Sequence, residues 1–383
     1  MGIMPKPLKI YIISGELSGD NHGAMLMQSM KDLHPNIQFY GIGGYSMNRE
    51  GLTSLFPIEK MAVMGFSEII KNLSFFKNVE QAVLKQITDV QPDRLILIDY
   101  PGFNLRIAEK VKKKFGIPIT YYISPQIWAW KEKRINIIKK YVDQMLVIFP
   151  FEEDWYKQRG VSAKYVGNPF MDKWVPKSKK ELITLLGLEG DNPIITLFPG
   201  SRRQELTYHF QLFVDSVKLI RKQIPNLQVV LGLASGFDAK QYKSILKDSN
   251  IILNQKDAAY ALEVADCAIV ASGTSTFESA IYGTPTVIVY KLSQISWWLS
   301  KLLVKIKFAG MANIIANKEI FPELLQSDAT AQKISTKVLE ILQNNDIRKE
   351  MIANLTDVQN QIGGSGASTK SAKYILENHI SNV

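Results

Sequence analysis

The sequence is short of several things, and each shortage excludes something. It holds one cysteine, Cys267, in 383 residues, so an intramolecular disulfide is excluded. The opening Met1-Gly2-Ile3-Met4-Pro5-Lys6-Pro7 lacks the apolar stretch of a secretory signal. Both features point to a cytoplasmic protein. No segment reaches the roughly 18 to 20 consecutive apolar residues that a membrane-spanning helix needs. Tandem repeats and low-complexity tracts are missing, which argues against a solenoid or a disordered tail. The Gly-x-Gly-x-x-Gly fingerprint is also missing: Gly41-Ile42-Gly43-Gly44 follows a strand but lacks the spacing and the helix, so a nicotinamide enzyme is disfavoured. Acidic residues are outnumbered, 36 against 46 Lys and Arg, for a net charge of +10. That balance favours an anionic partner, whether nucleic acid, a phosphorylated ligand or acidic lipid. No nucleic-acid-binding module is recognisable, so that partner is disfavoured.

What is present describes a folded α/β protein. Hydrophobic residues make up 46% and charged residues 21%, and the length is about twice that of a typical domain. Short apolar runs at Lys9 to Ser14, Ile37 to Gly41, Arg94 to Asp99, Ile119 to Ile123 and Gln144 to Phe149 alternate with helical patterns. The second half repeats the scheme at Ile194 to Phe198, Leu227 to Leu231, Asn250 to Leu253, Cys267 to Val270 and Pro285 to Tyr290. Such alternation predicts parallel sheets covered by helices. Gly167-Asn168-Pro169-Phe170 and the polar stretch from Val175 to Lys180 read as a turn and linker. The expected domains are therefore 1–170, 171–355 and a C-terminal helix, 356–383, packing on the N-terminal domain or on a partner chain, which leaves a homodimer open. Two doubly wound, Rossmann-like domains facing a cleft would bind ligands at the carboxyl ends of their strands.

Those strand ends carry the chemistry. After the first strand comes Ser14-Gly15-Glu16-Leu17-Ser18-Gly19-Asp20, a turn small enough to approach a ligand, or else an ordinary turn capped by Ser18 or Asp20. Asp99-Tyr100-Pro101-Gly102-Phe103-Asn104 comes after a fully apolar strand. Asp99 is either a cap for the next helix or a general base. Ser124-Pro125-Gln126-Ile127-Trp128-Ala129-Trp130 is an aromatic cluster suited to a sugar face, though also to a core. In the second half, Pro199-Gly200-Ser201-Arg202, with Glu205 nearby, opens a helix and gathers N–H groups, a hydroxyl and a guanidinium, the makings of a diphosphate site. Ser272-Gly273-Thr274 opens another helix, with Glu278 one turn in and placed to accept ribose hydroxyls. Two such loops in one domain favour a nucleotide sugar over coincidental capping.

Two segments suggest lipid. From Met61 to Phe76, Phe66, Ile69, Ile70, Leu73 and Phe76 share one helical face. From Gln294 to Phe308, an apolar stripe of Ile295, Trp298, Leu299, Leu302 and Ile306 is accompanied by Lys301, Lys305 and Lys307 with no acidic residue, the pattern of an interfacial helix. Either could pack on a core, but the Trp297-Trp298 pair with unopposed lysines favours an anionic membrane surface for the second.

Taken together, the motifs from Ser14 to Asp20, Met64 to Glu68, Ile98 to Asn104, Ser124 to Trp130, Pro150 to Glu152, Val166 to Pro169, Pro199 to Glu205, Ser272 to Glu278 and Phe321 to Gln326 resemble the lipid-A-disaccharide synthases. This is a glycosyltransferase family of the two-domain GT-B architecture, and the similarity runs nearly end to end. It implies transfer of 2,3-diacylglucosamine from UDP onto 2,3-diacylglucosamine 1-phosphate, with inversion, on the cytoplasmic face of the inner membrane. Asp99 is the favoured base, with Glu16 and Asp20 as alternatives. Ser18, Met64, Phe66, Asn104, Gln126 and Trp128 would contact substrate. Gly200, Ser201, Arg202, Glu205, Ser272, Gly273, Thr274 and Glu278 would hold UDP, assisted by Asn313, Glu323 and Gln326. Trp297, Trp298, Lys301, Leu302 and Lys305 would meet the membrane. There is no Asp-x-Asp sequence, and Glu152-Glu153-Asp154 reads as a helix start, so neither a metal nor another cofactor is expected. The nearest rival on the same architecture is a UDP-N-acetylglucosamine 2-epimerase, which would leave the Pro125 to Trp130 cluster unexplained.

Overall fold

The computed structural model describes residues 6–62, 73–233, 239–255, 258–294, 297–298 and 304–380. Met64, Phe66, Lys301 and Leu302, singled out above, lie outside them. The chain divides into two compact units, one running to Trp174 and resuming at Ile362, the other spanning Val175–Gln361.

In the first unit, strands β1 (Leu8–Ser14), β2 (Ile37–Gly43), β3 (Leu52–Pro57), β4 (Arg94–Ile98), β5 (Ile119–Tyr122), β6 (Gln144–Val147) and β7 (Ala163–Tyr165) form a sheet in the order β3-β2-β1-β4-β5-β6-β7. Every pairing is parallel. The runs Arg-Leu-Ile-Leu-Ile and Ile-Thr-Tyr-Tyr are buried at each position, as strands covered on both faces must be. Leu95, Leu97 and Tyr121 join one core and Ile96, Ile98 and Tyr122 the other, on opposite faces of the sheet. The C-terminal helix, Ala367–Ile380, belongs to this unit: Ala372, Ile375 and Leu376 pack with Leu26, Met27 and Met30 of the helix Leu17–Leu33. Its start is fixed by Asp172, whose carboxylate accepts from the N–H groups of Gly366, Ala367 and Ser368 at 2.6–3.0 Å, as suits a helix N-terminus.

The second unit repeats the plan with β8 (Ile194–Phe198), β9 (Gln228–Gly232), β10 (Ile252–Asn254), β11 (Cys267–Ala271), β12 (Thr286–Tyr290) and β13 (Glu323–Leu325), ordered β10-β9-β8-β11-β12-β13 and parallel throughout. Each unit is thus doubly wound, and each sheet reverses its winding once, between β1 and β4 and between β8 and β11. Strand register places the loops at these reversals. Ser14 pairs with Ile98, so Gly15-Glu16 and Asp99 leave the first sheet side by side. Phe198 pairs with Val270, which brings the loops beginning at Pro199 and Ser272 together at the second reversal. Ligands of doubly wound sheets bind at such points.

Candidate active site

At the first reversal the backbone is strained. Asp99 and Tyr100 are consecutive non-glycine residues in the left-handed region, at φ 42° and 48°, a conformation costing on the order of 1–3 kcal/mol each. Neighbouring side chains hold it. Asn104 Nδ2 donates to the carbonyls of Ile98 and Asp99 at 3.0 and 2.7 Å, and the Tyr121 hydroxyl donates to the Asp99 carbonyl at 2.5 Å. The Tyr100 ring lies over Gly15 so closely that a Cβ there would overlap it, which explains the glycine and brings the β1 loop against the turn. Asp99 is partly exposed, and its carboxyl is pushed up to about 7. Burial is the largest cause and the charge of nearby Glu16 the next, with the Tyr100 N–H opposing and Glu152 adding a smaller push. Glu16 itself is exposed.

Other sequence candidates at this end have structural duties. Asp20 is buried, and its carboxylate accepts from the N–H groups of Gly44, Ser46 and Met47 at 2.7, 2.9 and 3.1 Å, capping the helix Tyr45–Arg49. With its oxygens so occupied it is withdrawn as an alternative base. Asn104 is fully buried, its Nδ2 turned to the main chain, so it shapes the turn. Trp128 is also inside, 7% exposed, its Nε1 donating to Glu152 at 2.9 Å; it cannot offer a face to a sugar. Gln126 and Ser18 are exposed. Sequence reasoning gave Glu152 no role beyond its motif. The structure makes it a hub: one oxygen takes the Ser124 hydroxyl at 2.6 Å and Trp128, the other the N–H groups of Ile148 and Phe149. Burial pushes it up to about 7 against these hydrogen bonds.

In the second unit, β8 ends in Pro199-Gly200-Ser201-Arg202, with Gly200 at φ 118°. A Cβ on Gly200 would strike Glu205, whose Oε2 accepts from the N–H groups of Ser201 and Arg202 at 2.8 and 3.1 Å. Glu205 is therefore the cap of the helix Arg203–Arg221 and not a free ligand, and those two N–H groups are already taken. What the loop presents is the exposed Ser201 and the Arg202 guanidinium, a side chain 78% exposed that touches Glu205 at 3.5 Å. Beside it, Gly273 and Thr274 are exposed at the start of the helix Thr274–Tyr282. The Ser272 hydroxyl donates to the Ala309 carbonyl at 2.9 Å. Glu278 is half-buried, and burial holds its carboxyl above the usual range. Among the described residues nothing hydrogen-bonds that carboxylate.

Asn313 and Glu323, expected near the nucleotide, belong to one hydrogen-bond network. Asn313 is fully buried: its Nδ2 donates to the Phe321 carbonyl and to Glu323, and its Oδ1 accepts from Ile320 and Phe321, all at 2.8 Å. Glu323 accepts in addition from the N–H groups of Ala309 and Gly310. Gln326 differs. At φ 51°, it accepts from the Leu292 N–H at 3.3 Å, while its Nε2 is buried without a partner among the described residues. It lines a cavity of about 590 Å³ with Lys291, Leu292, Gln294, Trp297, Trp298 and Ser327. Sequence reasoning also missed His209, a lone histidine on a buried helix face. Its Nδ1 bonds the Pro199 carbonyl and its Nε2 accepts from the Lys291 N–H, both at 2.9 Å. These partners require the neutral ring with the proton on Nδ1, and burial lowers its pKa accordingly. His209 thus ties the Pro199 loop to the end of β12.

Of the interfacial stretch, Trp298 is 69% exposed, Trp297 half-buried and Lys305 exposed. No helix among the described residues is long and apolar enough to cross a membrane.

Comparison with known proteins bears on this geometry. A family model described as lipid-A-disaccharide synthetase matches residues 10–376. The lipid-A-disaccharide synthase of Coxiella burnetii strain RSA 331 is 38% identical over 367 residues, covering 96% of this chain and 97% of the relative. That of Myxococcus xanthus is 36% identical over 377 residues, covering 98% of each. Among solved structures, a UDP complex of MnaA from S. aureus superposes with a TM-score of 0.65 at 12% identity, covering 98% of both chains; this likeness concerns the fold, the two-unit GT-B architecture. On the family match and these relatives, the chain belongs to the lipid-A-disaccharide synthetases, glycosyltransferases of lipid A biosynthesis.

Proposed function

We propose that the enzyme takes UDP-2,3-diacylglucosamine as donor and 2,3-diacylglucosamine 1-phosphate as acceptor, and yields the β(1→6)-linked disaccharide 1-phosphate and UDP. The observation that carries this reading is Asp99, a carboxylate in a strained turn at the reversal of the first sheet, with its pKa pushed up to about 7. A base whose pKa lies near the working pH is both available and strong enough to draw a proton as a bond forms. In the step, Asp99 takes the proton of the acceptor 6-hydroxyl while that oxygen attacks the anomeric carbon of the donor. The bond from that carbon to the diphosphate oxygen breaks with its electron pair, UDP departs, and the configuration inverts. Glu16 is read as the neighbour whose charge keeps Asp99 basic.

The first unit would take the acceptor and the second the nucleotide. Arg202, the Ser201 hydroxyl and the N-terminus of the helix Thr274–Tyr282 would meet the charge that develops on the departing diphosphate. Glu278, with no competing partner among the described residues, would accept the ribose hydroxyls. Both substrates are acylated, so the enzyme would work at an anionic membrane surface on the cytoplasmic side of the inner membrane, with Trp298 and Lys305 as contacts. The test is UDP release from the donor with and without the acceptor, for wild type and Asp99→Ala. Acceptor-dependent release that falls by orders of magnitude in the variant supports the reading. A wild type that releases no UDP removes the substrate class, whereas an active variant removes only the role of Asp99.

A further inference from the structure

The carboxyl end of the first sheet also carries a group of cations that the transfer step leaves unused. Because Trp128 turns inward to Glu152, the next tryptophan, Trp130, comes to the surface at 36% exposure. Two cations lie against its ring, Lys131 with Nζ 4.3 Å from the centroid and Arg134 with its guanidinium carbon at 5.9 Å. Lys131 is held at φ 57°, so its placement is a property of the backbone and not of a free side chain alone. The carboxylate between them in sequence, Glu132, is directed to Arg159 at 2.8 Å. Among the described residues no carboxylate pairs with Arg134. Loss of water depresses the pKa of both cations, and Arg134 further depresses that of Lys131. An ammonium and a guanidinium drawn to one indole make a cationic patch suited to a compact anion.

The position of the pair indicates which anion. Tyr121, whose hydroxyl donates to the Asp99 carbonyl, feels the charge of Arg134. Both cations lie in the segment that follows β5, the strand whose Tyr121 side chain is bonded to the turn that holds the candidate base. A guanidinium fork beside an ammonium suits a phosphomonoester, which carries nearly two negative charges near neutrality.

On the reading that the acceptor is a sugar 1-phosphate, we propose that Arg134 and Lys131, set against Trp130, form the subsite that receives the acceptor's phosphate and so selects phosphorylated over unphosphorylated acceptors. The same chemistry would suit a bilayer phosphate headgroup, and the experiment separates the two. The rate kcat/KM is measured for 2,3-diacylglucosamine 1-phosphate and for 2,3-diacylglucosamine lacking the phosphate, in wild type, Arg134→Gln and Lys131→Gln. Lys131 is exposed, so its variant provides the test should loss of Arg134 disturb folding. The preference for the phosphorylated acceptor is expected to fall about ten- to a hundredfold in each variant, through KM for that acceptor, the scale of a charge-assisted hydrogen bond. KM for the sugar nucleotide is expected to hold. Equal losses on both acceptors would mark the residues as structural and overturn the proposal, as would a wild type without preference. A preserved preference with weakened co-sedimentation on phosphatidylglycerol vesicles would assign the cations to the bilayer and likewise overturn it. A wild type that transfers to neither acceptor defeats the parent reading, and the subsite with it.

Discussion

Replacing Asp99 by Asn should make the protein more stable while disabling it, and the site sets the size of the gain. An aspartate ordinarily titrates at 3.8, and here at about 7. A folded-state pKa above the unfolded value means that the unfolded chain ionises first as pH rises, so stability falls between those two values and is constant beyond them. At about 1.4 kcal/mol per pH unit, the penalty on the wild type is about 1.7 kcal/mol at pH 5 and about 4 kcal/mol at pH 8. Asn is the neutral counterpart of the protonated acid and is tolerated in the left-handed region, so the variant escapes this penalty without losing the turn. Urea unfolding followed by tryptophan fluorescence suits the measurement, since Trp128, Trp130, Trp155 and Trp174 lie in the same unit as Asp99. The variant should gain at both pH values, and by more at pH 8. Activity should meanwhile drop about 10²- to 10⁴-fold, the usual contribution of a general base, and wild-type kcat/KM should rise with pH through about 7. An equal gain at pH 5 and pH 8, or a variant less stable than wild type at pH 8, would refute the argument that burial raises this carboxyl.

Glu278→Gln should weaken UDP binding about ten- to a hundredfold by titration calorimetry, the scale of a hydrogen bond to a charged group, with kcat less affected than donor KM; unchanged UDP affinity would remove the ribose assignment. His209→Leu leaves the Pro199 carbonyl and the Lys291 N–H unpaired, at a cost of about 1–3 kcal/mol for each buried group. UDP affinity should fall with stability, and His209→Gln, which can donate and accept, should recover part of both. Because burial lowers the His209 pKa, its bonds are fully present above the ordinary histidine value of 6.5. The stability they support is lost as pH drops below that value, where the unfolded chain takes up the proton first. Trp298→Ser should reduce co-sedimentation with anionic vesicles, and retention at the wild-type level would count against the membrane contact.

The two sheets, and the residues at their reversals, are legible in the sequence because buried parallel strands are nearly continuous apolar runs. Arg94 to Ile98 and Cys267 to Ala271 announce themselves in this way, and register places the residues after them. Strands β3, β7 and β13 escape such a reading. They are short edge strands, Leu-Thr-Ser-Leu-Phe-Pro, Ala-Lys-Tyr and Glu-Leu-Leu, with few fully buried positions, so they lack the apolar signature. The return of the chain to the first unit at Ile362 cannot be located from sequence either, since the contacts that hold it, Asp172 to Gly366 for example, span nearly two hundred residues. Side-chain direction is the least legible. Trp128 and Trp130 are two residues apart in one motif, yet one is inside on Glu152 and the other outside under two cations, a difference set by a carboxylate about twenty residues away.

The same limit explains why so many polar residues at the strand ends proved to be scaffold. A loop leaving a parallel sheet exposes backbone N–H and C=O groups that the ladder no longer satisfies, and beneath a helix layer these must find partners. Asp20, Asn104, Glu152, Glu205 and Glu323 meet that need, each with several bonds to one or two loops. A carboxylate holding two or three donors in place has little capacity left for a substrate. Asp99 and Glu278 are the exceptions: partly buried carboxyls held above their usual range, with one backbone donor on the first and, among the described residues, none on the second. The distinction has a measurable form. Alanine at a scaffold position should lower stability and activity together, because an unpaired donor and a displaced loop arise from one event. Neutral replacements at Asp99 and Glu278 should lower activity while leaving stability unchanged or improved, the signature of groups kept for chemistry against the preference of the fold.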